Sequence, residues 1–417
     1  KMDTIENWLS LPPRFTTLRV NLLKNFDIEE LENCLKSQSD EIGATQIPRF
    51  YYLRPDCLII EQWDPNVKFE KSGNEIIVDA SCAAAVLRGA HVFAPGVLGL
   101  SPSCKLGERI DIYGDLEGKC KRGLKVKYEG KKLFVGVGYL KMLRSDLFDN
   151  GVQPSGIAVN TILPDSRLPV INETIATTNG SILLQNLPSI VCGWVVNARS
   201  NECVLDMCSA PGNKTTHLAE MSQNNAIIIA IDKTPQKVAR VKEKCDNHGV
   251  TCVKVYVYDS TKCYSENSKG IENGPPFPSN SFDKILLDAP CSGLGQRPQL
   301  RNKMTPKMLQ SYKFVQRKLF NAAVRVLRVG GKLVYSTCTI TEDENEGMVA
   351  WVLEKFPNLK LVPAEPLLGG PGLPDMGLNN EQRLMVQRFG PNDDNVKSVE
   401  SIYTNSIGFF IAMFEKL

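Results

Sequence analysis

From about residue 200 onward, short apolar runs alternate with amphipathic stretches. Val204–Met207, Ala226–Ile231, Val253–Val257, Phe282–Leu287 and Lys332–Ser336 read as strands. Such short apolar runs, bounded by turn residues, mark strands buried on both faces. Between them Lys214–Met221, Pro235–Cys245, Pro306–Leu327 and Glu344–Lys355 carry helical spacing. Pro235 suits a first helical turn, Gly330 and Gly331 follow a helix end, and Pro357 stops the last helix. Ile407–Phe414 is a final strand. Repeated β-α-β units predict a doubly wound parallel sheet.

The segment 76–150 has another texture. Glycines recur from Gly89 to Gly138, separating the β-like runs Arg109–Tyr113, Leu124–Tyr128 and Leu133–Val137. Together with the helix-like ASCAAAVLRGA (80–90), this spacing predicts a small antiparallel barrel. Loops near 265–281 and 365–400 are polar or rich in Pro and Gly, and are expected to be exposed.

Length and composition then set limits. A chain of 417 residues suggests two to three domains and buries a core without staples. At 42% hydrophobic and 23% charged residues it is neither wholly disordered nor collagen-like. No apolar run approaches the ~18 residues that span a membrane, and KMDTIENWLS has no apolar signal core. Thirteen cysteines contain no CxxC pair and accompany only three histidines, which argues against a zinc site. The cysteines read as reduced thiols of a cytosolic or nuclear protein, with the cytoplasm the expected compartment. His91, His217 and His248 show no partner in the sequence and read as surface or core residues, so no metal is expected.

Net charge is only +3 but unevenly placed. Residues 1–75 hold 9 Lys/Arg against 13 Asp/Glu, 119–144 hold 9 against one, and 297–332 hold 10 against none. Two basic stretches on a nearly neutral chain predict a polyanion site, and nucleic acid is the obvious candidate. Lys119, Lys121, Arg122, Lys125 and Lys127 are expected on RNA phosphates. Arg297, Arg301 and Lys303 are expected near a target base.

In VLDMCSAPGNKTTHLAEM (204–221) a strand, a Pro-Gly turn and a helix start follow one another, as at the ligand edge of such sheets. Small residues there admit a ligand to the backbone, and amides at a helix start hold a carboxylate. Asp232, ending the second strand, suits a ribose hydroxyl pair, and Asp259, after the third, suits an adenine amino group. There is no GxGxxG and no phosphate loop, so a nucleoside without pyrophosphate fits, S-adenosylmethionine being the common one.

ILLDAPCSG (285–293) and VYSTCT (334–339) bring Cys291 and Cys338 to the same edge. One such cysteine is usually packing. Two, with Asp288 and Lys214, suit methylation of carbon 5 of a pyrimidine. A thiolate adds to carbon 6 while an acid at ring nitrogen 3 takes up the charge. Asp288 would hold or donate that proton, Lys214 would supply positive charge, and the base must leave its stack.

CSAPGNK, Asp232-Lys233, DAPCSG and STCT, in this order, resemble the Sun-domain RNA cytosine-5 methyltransferases, and PPRFTTLRVN (12–21) is similar to that family's N-terminal signature. GAHVFAPG (89–96), GERIDIYG (107–114) and FVGVGYL (134–140) resemble a PUA domain, a small RNA-binding barrel. With GQRP (295–298), the arrangement resembles the PUA-containing, sixth branch of the family. The resemblance implies a class I, Rossmann-like methyltransferase fold with a seven-stranded sheet whose last strand is antiparallel. Residues 1–75 would be the N-terminal part of the methyltransferase module, 76–168 the PUA domain and 169–417 the catalytic domain. It implies Cys338 as nucleophile and Cys291 as the residue that releases the adduct. Cys208, Ser209, Ala210, Pro211, Gly212, Asn213, Lys214, Asp232, Asp259 and Asp288 would hold S-adenosyl-L-methionine. The implied substrate is a cytidine beside the discriminator base of certain tRNAs, with the PUA domain on the CCA end, some mRNA sites being methylated as well. A monomer with no membrane partner is expected.

Relatives read PGGK where this chain has Asn213. Asn tolerates positive φ best among non-glycine residues and caps helix starts, so an intact pocket is expected. Two other readings compete. Pro290-Cys291 superficially fits the Pro-Cys nucleophile of DNA cytosine-5 methyltransferases, but the second cysteine motif and the barrel favour RNA. An RNA-binding scaffold with an idle pocket is favoured only by Asn213.

Overall fold

The computed structural model describes residues 2–149, 151, 153–171, 179–391 and 402–417. Three sheets organise them. The first joins β1 (Phe15–Val20), β2 (Phe50–Arg54) and β3 (Cys57–Glu61) to a strand from far downstream, considered below. The helix Ile28–Ile42 between β1 and β2 starts at Asp27, which accepts from the Glu29 amide, and stops at Gly43 with φ +65°.

The second sheet is the inserted domain: β4 (Glu75–Val78), β5 (Val92–Phe93), β6 (Val97–Leu100), β7 (Arg109–Asp115), β8 (Lys132–Leu140) and β9 (Ile157–Pro164). Their order is β5-β9-β8-β7-β4-β6, antiparallel except for the parallel pair β4–β7. Its interior is lined by Ile76, Val78, Ile110, Ile112, Val135 and Val159, against the helix Ala80–Val86. The expected strand Leu124–Tyr128 is corrected to one bridge, Gly99–Leu124. This loop folds instead around Asp115. Its carboxylate accepts from the amides of Glu117, Gly118 and Cys120 and from the Tyr128 hydroxyl.

β10 (Ile182–Leu184) returns to the first sheet, pairing Leu18 with Leu184, so that sheet draws strands from both sides of the insertion. The third sheet follows: β11 (Cys203–Asp206), β12 (Ile227–Asp232), β13 (Val253–Val257), β14 (Phe282–Asp288), β15 (Leu327–Thr337), β16 (Leu359–Val362), β17 (Gln387–Phe389) and β18 (Phe409–Lys416). Its path is β13-β12-β11-β14-β15-β18-β16, with β18 antiparallel to both neighbours. The expected seven strands are corrected to eight, because β17 also pairs with β18. Both faces are apolar. Leu205, Ile229, Ile285, Leu287 and Tyr335 pack toward the helix Pro306–Val326, whereas Val204, Ile228, Leu286 and Val334 pack toward the helix Leu187–Val196.

Both expected loops carry more structure than their composition suggested. Phe277 is fully buried, packed edge-on against Phe282, and the helix Asn380–Met385 precedes β17. Residues 392–400 of the second loop, and Lys1, lie outside the described residues. Among the described residues, no helix is long and apolar enough to cross a membrane, and no group of three or more His, Cys, Asp or Glu could hold a metal.

Candidate active site

The carboxyl ends of β11 to β15 open onto a cavity of about 480 Å³, lined by Cys208, Ala210, Asp232, Asp259, Asp288, Cys291 and Cys338 among others. In a doubly wound sheet this is the edge where ligands bind. The loop after β11 closes with Gly212 at φ +99°, capping the helix Asn213–Met221. Beneath it Asp206 accepts from the Thr215 hydroxyl at 2.7 Å, and burial pushes its carboxyl up to about 7. The expectation for Asn213 is corrected: the positive φ belongs to Gly212, Asn213 is the first helical residue, and its side chain makes no cap.

The residues present fit an adenosyl cofactor. Asp232 is 6% exposed on the cavity wall, held by the Ala210 and Lys233 amides (3.1 and 2.7 Å) with Lys237 at 3.3 Å. A carboxylate so fixed keeps acceptor capacity for a ribose diol. Asp259 is turned by its own cap. The Thr261 hydroxyl donates to it at 2.7 Å and holds its carboxyl below the ordinary value, despite partial burial.

At the reacting end, Lys214 donates to Asp288 Oδ2 at 2.7 Å, and the Ser336 hydroxyl donates to Oδ1 at 2.7 Å. Burial disfavours the charge on Lys214, but the Asp288 carboxylate outweighs it, so its pKa lies above the ordinary lysine value. The Sγ atoms of Cys291 and Cys338 are 3.4 Å apart. Their shared hydrogen bond separates the two thiols. It brings Cys338 down to about 7 against the effect of burial, helped by Gln296 and Lys214. The same bond, with burial, drives Cys291 well above the ordinary thiol range. Of the two thiols, Cys338 is thus the easier to ionise.

Sequence reasoning missed what holds the two cysteine loops. Glu344 and Asn345 were expected to open a helix; the helix instead begins at Glu346. Glu344, fully buried, accepts from the Ser292 amide and hydroxyl, the Thr341 hydroxyl and Gln316 Nε2. Asn345 bonds Thr337 and the Thr339 carbonyl. The acidic run EDENE (342–346), two residues beyond STCT, was the available signal.

Arg19 was missed as well. Fully buried on β1, it donates to Gln185, Thr216, Glu220 and the Asn213 carbonyl, tying the N-terminal sheet to the cofactor helix. The histidines do have partners: His217 Nε2 meets Asp56 at 2.8 Å, His248 Nδ1 meets Glu220 at 3.3 Å, and His91 Nδ1 accepts from the Thr161 amide.

The basic residues divide. Lys121, Lys125 and Lys127 are exposed on the barrel loop, as is Lys119, which pairs with Glu117 at 3.2 Å. The Arg122 guanidinium is tied to the carbonyls of Pro95, Val97 and Leu147. Arg297 is corrected outright. It is 4% exposed, donates to the carbonyls of Trp8, Leu11 and Ser406, and stacks on Trp8 at 3.9 Å. Burial lowers its pKa to about 9. Arg301 and Lys303 line a cleft of about 360 Å³ with Asp79, Asp115 and Gly118, not the cavity of the cysteines.

A class I methyltransferase sheet with two thiols and a Lys–Asp pair beside a nucleoside-sized cavity, joined to a β-barrel insertion, defines an RNA-modifying methyltransferase. Comparison with known proteins agrees. Residues 194–399 match the family model described as 16S rRNA methyltransferase RsmB/F, and residues 74–146 match the PUA domain. The tRNA (cytosine(72)-C(5))-methyltransferase NSUN6 of Mus musculus is 40% identical, covering all of this chain and 90% of its own length. The tRNA (cytosine(72)-C(5))-methyltransferase of Pyrococcus horikoshii is 32% identical over 96% of this chain and 89% of its own. The crystal structure of NSun6 from Pyrococcus horikoshii, solved with the S-adenosylmethionine analogue SFG, superposes with TM-score 0.74 and 32% identity over 99% of this chain and 94% of that one. The chain belongs to the NSUN6 family of S-adenosylmethionine-dependent RNA cytosine-5 methyltransferases.

Proposed function

We propose that this chain methylates carbon 5 of cytidine 72 in the acceptor stem of particular tRNAs, with the barrel on the CCA end. The full-length similarity to enzymes named for that position supports the reading. mRNA sites that resemble a tRNA end are further substrates, and the protein acts as a cytoplasmic monomer. Residues 1–75 and 169–417 form the methyltransferase module around a PUA domain at 76–168.

Cys338 adds as thiolate to carbon 6 of the flipped cytosine. Asp288, held by Lys214 and Ser336, manages the proton at ring nitrogen 3. The bound S-adenosylmethionine, held by residues 208–214, Asp232, Asp259 and Asp288, supplies an electrophilic methyl group. On release the carbon 5 proton passes to solvent, the Cys338 thiolate leaves carbon 6 with the Cys291 thiol donating to it as the ring double bond re-forms, and Asp288 takes back the ring nitrogen 3 proton. The observation that carries this reading is the pair of thiols 3.4 Å apart on the cavity wall beside the Lys214–Asp288 pair. The test is mass spectrometry of nuclease fragments from a tRNA transcript with an intact CCA end. 5-Methylcytidine at position 72 is expected. Methyl groups elsewhere, or equal methylation after CCA removal, would contradict the substrate reading.

A further inference from the structure

Glu344 sits behind the thiols and is not among the residues that line their cavity. It is fully buried, and both of its oxygens are used. Oε1 accepts from the Ser292 amide and from Gln316 Nε2, each at 3.0 Å. Oε2 accepts from the Ser292 hydroxyl at 2.6 Å and from the Thr341 hydroxyl at 2.8 Å. Four such bonds fill the acceptor sites of a carboxylate. With its lone pairs taken and no face on the cavity, Glu344 does not handle a substrate proton. Its effect passes through its donors.

Those donors come from the segments that carry the two thiols. Ser292 follows Cys291 directly, and its hydroxyl lies 2.8 Å from that of Thr339, which follows Cys338. Thr341 continues the Cys338 loop. Gln316 also donates to the Pro290 carbonyl at 3.0 Å, so Cys291 is flanked by two held residues. One carboxylate therefore clamps the loop after β14, the loop after β15 and the helix Pro306–Val326. Hydrogen bonds to a charged acceptor are stronger than neutral ones, and more so away from water. Across this clamp the two Sγ atoms stand 3.4 Å apart. We propose that Glu344 is a positioning residue that sets the separation of the thiols, so that Cys291 reaches the Cys338 sulfur as the adduct is released. This rests on the roles given to the cysteines above and deepens them.

The test compares Glu344→Ala and Glu344→Gln with the wild type, as full chains, with a tRNA transcript and S-adenosylmethionine. Glu344→Gln can keep the clamp. Its oxygen accepts from the two N–H donors, which cannot reverse, while its amide donates to the two hydroxyls, which can. Glu344→Ala offers them nothing. Its kcat should fall about 100-fold, the scale of a misplacement of about 1 Å, with S-adenosylmethionine affinity by calorimetry held. A covalent protein–RNA band should build up on a denaturing gel although both cysteines are present. Brief treatment of the free protein with diamide should close a Cys291–Cys338 disulfide, read by mass spectrometry. In Glu344→Ala this should run at least about ten-fold more slowly, because displaced thiols miss the geometry the bond requires. Glu344→Gln should restore most of each loss. Ser292→Ala loses the hydroxyl but keeps the amide; it should show the same changes in smaller measure, and it stands in if Glu344→Ala does not fold. A wild-type disulfide rate in folded Glu344→Ala would overturn the inference. So would a Glu344→Gln as impaired as Glu344→Ala, because charge rather than position would then act. If Cys291→Ala traps no adduct, the release role itself fails, while the disulfide rate still decides whether Glu344 sets the separation.

Discussion

The sheet edge with the two cysteines and the barrel loop with the lysines both carry charge, but they use it differently. At the sheet edge, Lys214, Asp288, Glu344 and the two thiols are each fixed by hydrogen bonds, and the cavity is partly closed to solvent. On the barrel loop, Lys121, Lys125 and Lys127 stand in solvent over a backbone fixed by Asp115. Charges of the first kind act through position in a low dielectric. Charges of the second kind act through summed, salt-screened attraction to phosphates. A substitution at the sheet edge should therefore change chemistry, and one on the loop should change affinity and its salt dependence.

Arg297 tests this division most strongly, because the sequence groups it with the basic stretch while the fold buries it. Arg297→Ala should cost roughly 3 kcal/mol of stability, through carbonyls left without a charged donor. A shift in thermal midpoint would show it. If only RNA affinity fell, with the midpoint unchanged, Arg297 would belong with the lysines.

The thiol pair gives a sharper contrast. Because the Cys338 thiol is drawn below its ordinary value, its reaction with iodoacetamide should rise at a lower pH than that of an ordinary cysteine. Because the hydrogen bond from Cys291 is the largest lowering influence, Cys291→Ala should move that midpoint upward. An unmoved midpoint would mean that Gln296 and Lys214 lower the thiol without Cys291.

The smallest effect is expected on the loop. Lys125→Ala with Lys127→Ala should weaken tRNA binding several-fold and reduce the slope of log affinity against log salt by at most about 2. Cofactor affinity should not change. An unchanged salt slope would remove these lysines from the RNA path.

Much of this was legible in the sequence. Strand ends such as Asp232, Asp288 and Thr337 fall where apolar runs stop, and a doubly wound sheet gathers strand ends at one edge. What stayed hidden depends on distant pairing. Arg19 meets Thr216 and Glu220 across some two hundred residues, and no local pattern marks a buried arginine among Thr17, Leu18 and Val20. Glu344 looked like an ordinary first-turn acid because its partners come from Ser292 and Gln316. The stretch Leu124–Tyr128 alternates like a strand, but Asp115 captures the neighbouring amides and the Tyr128 hydroxyl. β17 was masked by the Pro and Gly content of its surroundings.

The central claim is that two thiols 3.4 Å apart perform opposite steps. The most direct measurement is methyl transfer from labelled S-adenosylmethionine to a tRNA transcript, with wild type, Cys338→Ala and Cys291→Ala resolved on one denaturing gel. Cys338→Ala should transfer nothing and form no adduct, while Cys291→Ala should hold a covalent protein–RNA band. A dead Cys291→Ala beside an adduct trapped by Cys338→Ala would reverse the two roles and contradict the account.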